Sequence, residues 1–112
     1  MKIAVTATGP TPSAEVDGRF GRARWFLVWD TEGGEPEAID NSSGVDAVSG
    51  AGIASAQKVI DAGVTLVLTG RCGPKAMRAL EQAGVDVTEG ITGIAGEAIL
   101  PFVGDAGKGS GT

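Results

Sequence analysis

The chain predicts a single α/β domain, with one mixed sheet carrying helices on both faces. Three observations support this. The N-terminal part reads as strands closed by a hairpin turn. From residue 52 onward, helix and strand patterns alternate. Glycine makes up 19 of 112 residues, against a usual share of roughly 7%, and it separates these elements rather than forming one block. Antiparallel strands followed by right-handed βαβ crossovers give the order β-β-β-α-β-α-β-α. A chain of 112 residues holds one core and no second.

Lys2–Ala7 is apolar and β-branched, a first strand. Thr8–Ser13 is a loop by its glycine and prolines. Trp25–Trp29 is a second strand, with Trp25 and Trp29 on one face and both expected to be buried. Asp30-Thr31-Glu32-Gly33-Gly34 turns the chain back into Glu35–Asp40, a weakly apolar edge strand. Asn41–Gly50 is a polar loop. Gly52–Ala62 spaces Ile53, Ala56, Val59 and Ile60 as one face of a helix, and Gly63 closes it. Val64–Leu68 is an unbroken apolar run, the signature of a strand inside a sheet. Pro74–Ala83 is a helix with Met77 and Leu80 inward and Arg78, Glu81 and Gln82 outward, closed by Gly84. Val85–Thr88 is the last strand. Gly93–Phe102 is a weaker helix, with Ile94, Ala98, Ile99 and Phe102 as its apolar side, and a Gly/Ser-rich tail follows.

Composition narrows the function. The formal net charge is −5, which disfavours nucleic acid, whose phosphates demand a basic face. There is one cysteine, so no internal disulfide forms, and a reducing, cytoplasmic setting is expected. No apolar run reaches membrane-spanning length and no signal-peptide pattern precedes Lys2. Histidine is absent, which removes the usual general base and excludes a Ser-His-Asp triad. Asp30 and Asp40 flank the hairpin rather than forming a magnesium-binding carboxylate pair. The expectation is a protein that is not an enzyme.

Three stretches carry chemistry. Thr69-Gly70-Arg71-Cys72-Gly73-Pro74-Lys75-Ala76 joins a strand to a helix, and ligands of open α/β sheets sit beyond the carboxyl ends of strands. Two cations and a helix N-terminus there would favour the thiolate of Cys72, a soft-metal ligand. Equally, a lone cysteine can be a small apolar filler, and Gly73-Pro74 can simply start a helix. Asp17-Gly18-Arg19-Phe20-Gly21-Arg22-Ala23-Arg24 sets three arginines among glycine turns. They could line an anion-binding concavity or be solvated surface charges. Ser49-Gly50-Ala51-Gly52 opens a helix whose amides could face an anion. Its spacing is a poor dinucleotide fingerprint, and the Gly70–Lys75 loop has the wrong spacing for a phosphate-binding P-loop.

In order, Asp17–Ala23, Gly50-Ala51-Gly52, Thr69–Ala76, Leu80 and Ala83-Gly84-Val85-Asp86-Val87 resemble the dinitrogenase iron–molybdenum cofactor biosynthesis family, over residues 1 to 104. The resemblance implies a ribonuclease-H-like, three-layer α/β/α fold with a five-stranded sheet in the order 3-2-1-4-5. It marks residues 1–104 as the domain and 105–112 as a flexible tail. It also implies binding or carriage of an iron–molybdenum cofactor, a precursor or another metal–sulfur cluster. The partners would be cluster donor or acceptor proteins, with neither nucleic acid nor membrane. The cofactor-binding residues would be Arg19, Arg22, Gly50, Gly52, Gly70, Arg71, Gly73 and Lys75, with Cys72 as metal ligand. The missing histidine departs from carriers of this kind. Two other classes stand beside this one: a ligand-free interaction module, suggested by Trp25 and Trp29, and a nucleic-acid enzyme, suggested by fold analogy alone.

Overall fold

The computed structural model describes residues 1–42 and 50–107. Five strands, β1 (Lys2–Ala7), β2 (Trp25–Asp30), β3 (Glu37–Asp40), β4 (Val64–Leu68) and β5 (Asp86–Thr88), form one sheet in the order β3-β2-β1-β4-β5. β1 runs antiparallel to β2 and parallel to β4. β2–β3 is antiparallel and β4–β5 parallel. The sheet is therefore mixed, and β4 lies inside it, as its apolar run requires.

Alternating side chains divide the core in two. On one face Ala4, Phe26, Val28 and Val67 pack against α1 (Ala51–Asp61) and α2 (Pro74–Gln82) through Ala56, Val59, Ala76 and Leu80. On the other face Ile3, Val5, Leu27 and Leu68 pack against Ala95 and Ile99 of the C-terminal segment. Trp25 and Trp29 are half-buried on this second face, rather than fully buried as expected. Asp30 and Asp40 each accept a backbone N–H within their own turn, from Glu32 and Ser42. Those hydrogen bonds hold both carboxyls below the usual aspartate range.

Two elements differ from expectation. Ile53 is 51% exposed, because α1 seats its small residues on the sheet: Ala51, Ser55, Ala56 and Val59 are buried instead. The expected helix over Gly93–Phe102 is two, α3 (Ala95–Ala98) and α4 (Leu100–Gly107). Pro101 lacks the N–H that would bond the Glu97 carbonyl, so a single helix cannot run through it. Of its expected apolar side only Ile99 is fully buried; Ile94 and Ala98 are partly so, and Phe102 is exposed. α4 continues to Gly107, three residues into the span expected as tail. Residues 108–112 lie outside the described residues, as do 43–49 of the expected polar loop.

The two faces of the helices make opposite predictions. Leu80 is fully buried, so Leu80→Ala should cost about 2–5 kcal/mol in urea unfolding. Ile53→Ala should change stability by less than about 0.5 kcal/mol, since exposed positions tolerate change and alanine favours helix.

Candidate functional site

The site forms where the chain leaves β1 and β4, neighbouring parallel strands. The loop after β4 is fixed to the segment at residues 17–22 by a row of polar contacts. The Thr6 hydroxyl donates to the Asp17 carbonyl at 2.7 Å and lies 2.9 Å from the Thr69 hydroxyl, both threonines fully buried. Thr6 has only one hydroxyl hydrogen, so Thr69 donates to Thr6. One step outward, the Phe20 N–H donates to the Arg71 carbonyl at 2.9 Å, and Arg19 and Arg71 form a parallel bridge. Phe20 anchors its 3₁₀ turn (Phe20–Arg22) in the core, its ring centroid 5.3 Å from that of Phe26.

Glycine permits this approach. A Cβ on Gly70 would lie 2.7 Å from the Gly18 Cα and carbonyl oxygen. A Cβ on Gly21 would lie 3.0 Å from the Gly52 Cα, at the start of α1. Behind that contact Asn41, fully buried, donates from Nδ2 to the Ala23 carbonyl at 2.8 Å and the Ser55 hydroxyl at 3.0 Å. The 3₁₀ turn, the end of β3 and α1 are thus tied together.

The joined loops border an open cavity of about 490 Å³. Arg19, Arg22, Arg71 and Lys75 supply its charge. Phe20, Pro74, Ala51 and Ala76 supply apolar wall, with Gly21, Gly52 and Gly73 between. Among the described residues, no acidic, histidine or cysteine side chain lines it. Arg19, Arg71 and Lys75 have no carboxylate within ion-pair distance among the described residues. α1 and α2 both bring their N-termini to it, and neither is capped by a side chain. Uncapped first-turn amides add partial positive charge and hydrogen-bond donors.

Of the expected residues, six line the cavity: Arg19, Arg22, Gly52, Arg71, Gly73 and Lys75. Gly50 and Gly70 do not. Gly50 precedes α1 with φ +76°, a left-handed conformation suited to glycine, and Gly70 serves the close approach to Gly18. Cys72, expected as metal ligand, is 7% exposed and belongs to the core under α2, not to the cavity wall. Burial, then the carboxylates of Glu89 and Glu81, push its thiol up to about 11. The expected help from Arg71 and Lys75 is absent: Cys72 is packed in the core, and burial with the two carboxylates sets its thiol instead. Among the described residues no group of three or more His, Cys, Asp or Glu is placed to hold a metal ion. Sequence reasoning missed Phe20, Gly21, Ala51, Pro74 and Ala76 as cavity wall; the first two sit inside the quoted arginine motif.

A model of the dinitrogenase iron–molybdenum cofactor family matches residues 1–104. The chain belongs to that family. The apo orange protein of Desulfovibrio gigas superposes with a TM-score of 0.87 at 40% identity, over 92% of this chain and 87% of that one. A putative NifB protein from Thermotoga superposes with a TM-score of 0.78 at 32% identity, over 90% and 85%. An uncharacterized protein of Methanocaldococcus jannaschii is 31% identical over 106 residues, 92% of this chain and 86% of that protein. No helix among the described residues is long and apolar enough to cross a membrane.

Two outcomes check the site. Gly70→Ala should separate the loops, lowering stability by about 1–3 kcal/mol in chemical denaturation. Cys72 alkylation by iodoacetamide should be slow at pH 8 and rise only toward pH 11. The folded thiol titrates above its ordinary value of 9.0, so the stability it contributes is present below about pH 9 and lost as pH climbs through about 11. A stability curve flat across that window would contradict the buried neutral thiol.

Proposed function

We propose that this protein is a non-catalytic binder and carrier of an anionic molybdenum-containing metal–sulfur cofactor, a precursor or a related cluster, in transit between donor and acceptor proteins. The observation that carries this reading is the junction of two arginine loops over one cavity. Arg19 and Arg71 sit side by side on bridged backbones, and like charges brought together repel unless a counter-charge intervenes. An anion between them would offset that repulsion. The family membership supports this class of cargo.

The wall also supports this reading. Four cations with apolar surface and helix amides suit a large, polarisable, weakly hydrated anion over a small, strongly hydrated one. Without thiol or imidazole on the wall, the hold is electrostatic and non-covalent. A hold of that kind lets the cargo leave to a partner that offers real ligands.

The test is titration with tetrathiomolybdate, a molybdenum–sulfur dianion, followed by absorbance. Wild type should bind it in preference to sulfate. The double variant Arg19→Ala/Arg71→Ala should weaken binding roughly tenfold or more, and Cys72→Ala should stay within about twofold. Raising salt from about 50 to about 500 mM should weaken binding of the wild type, because exposed charges are screened. Equal binding by wild type and the double arginine variant would refute the reading.

A further inference from the structure

We propose that Glu89 is a positioning residue for the cavity: its carboxylate fixes the Arg71–Cys72 peptide plane and so holds the two basic loops in their anion-binding arrangement. This rests on the anion-binding reading above and adds a residue outside the cavity wall. The key fact is that one peptide unit is held at both ends. Its carbonyl, that of Arg71, accepts the Phe20 N–H at 2.9 Å. Its N–H, that of Cys72, donates to Glu89 Oε2 at 2.7 Å.

The consequence is directional. If the plane turned, the Arg71 carbonyl would leave Phe20, and the bond joining the loops would be lost. A charged acceptor on the N–H opposes that turn, and such bonds are stronger than neutral ones. Donation to a carboxylate also polarises the amide, which makes its carbonyl the better acceptor for Phe20. Glu89 itself is placed by its neighbours: Gly90 N–H donates to the Gly70 carbonyl at 2.8 Å and Ile91 N–H to the Thr69 carbonyl at 3.1 Å. The segment leaving β5 thus grips the loop leaving β4 from one side while the 3₁₀ turn grips it from the other.

A carboxylate this close to an anion site opposes the ligand by its charge and supports it by its geometry. Three variants separate the two. Glu89→Gln keeps a carbonyl acceptor and removes the charge. Glu89→Ala removes both, and Glu89→Asp keeps the charge but shortens the reach. With tetrathiomolybdate, Glu89→Ala and Glu89→Asp should bind about tenfold more weakly than wild type, and Glu89→Gln should match or exceed wild type. Amide exchange gives a readout that needs no ligand. The Phe20 and Cys72 amides should exchange faster in Glu89→Ala and Glu89→Asp than in wild type or Glu89→Gln, while the sheet amides of Ala4 and Val67 stay protected in all four. Equal anion affinity in Glu89→Ala and Glu89→Gln, or equal Phe20 exchange across the set, would overturn the proposal. Failure of wild type to bind the anion would instead overturn the carrier reading, and with it the ligand half of this one, while the exchange data still decide the clamp.

Discussion

The hydrogen bond from the Phe20 N–H to the Arg71 carbonyl is the contact on which the site depends. It joins two segments that are far apart in the chain and carry like charge. Electrostatics alone would drive them apart. They meet because β1 and β4 are parallel neighbours, so the chain leaves both at the same end of the sheet. They stay together because each is anchored in the core. Phe20 is buried against Phe26, and Ala76 and Leu80 seat α2 on the same face. Hydrophobic burial, worth about 1.5–3 kcal/mol for a side chain such as Phe20 or Leu80, outweighs the repulsion of two partly screened surface charges. The fold therefore holds a charge arrangement that no exposed loop would keep by itself.

That arrangement tolerates little substitution at its hinges. The Gly18–Gly70 and Gly21–Gly52 contacts are backbone against backbone, and a Cβ on Gly70 or Gly21 would meet atoms that cannot move without moving a loop or a helix. The buried Thr6–Thr69 pair serves the same end at the sheet edge. Each hydroxyl finds a partner without water, so the polar groups stabilise the junction instead of costing it. Glycine abundance in this chain thus has two sources. Gly50, Gly63 and Gly84 sit at φ near +80° where helices start or end, whereas Gly21 and Gly70 are small because a Cβ would strike the backbone of Gly52 and Gly18, and Gly52 because a Cβ would crowd Ala76 of α2.

Much of the fold was legible in the sequence because it depends on local pattern. β4 announced itself by four apolar residues in five, α2 by Met77 and Leu80 on one side and charge on the other, and the hairpin by Gly33-Gly34. Ile53 misled, because periodicity marks an apolar residue without saying whether the smaller Ala56 or the larger Ile53 fits the sheet. Pro101 misled in the opposite sense: its effect on the ladder outweighs the apolar pattern around it. The site was half legible. Glycine-bounded cations identify the arginines. Whether Cys72 turns toward them or toward the core is decided by the seating of α2 on the sheet, a long-range fact. Glu89 carried no local signal at all, since its partner is 17 residues away and reachable only once β4 and β5 are paired.

The seating of Cys72 bears on how the cavity can work. A thiolate beside four cations would bind a metal centre covalently and would also be the group most open to oxidation. Burial and the neighbouring carboxylates of Glu89 and Glu81 instead keep sulfur protonated. Glu89 thus opposes the thiolate and orders the loop at once, through the same carboxylate. Binding strength is left to charges that line an open-sided cavity, and such charges are weakened by salt and by any competing anionic surface. Four of the chain's nine cations line this cavity, in a protein whose net charge is −5. Lining cations and the N-termini of α1 and α2 thus meet at one open cavity in an otherwise acidic chain.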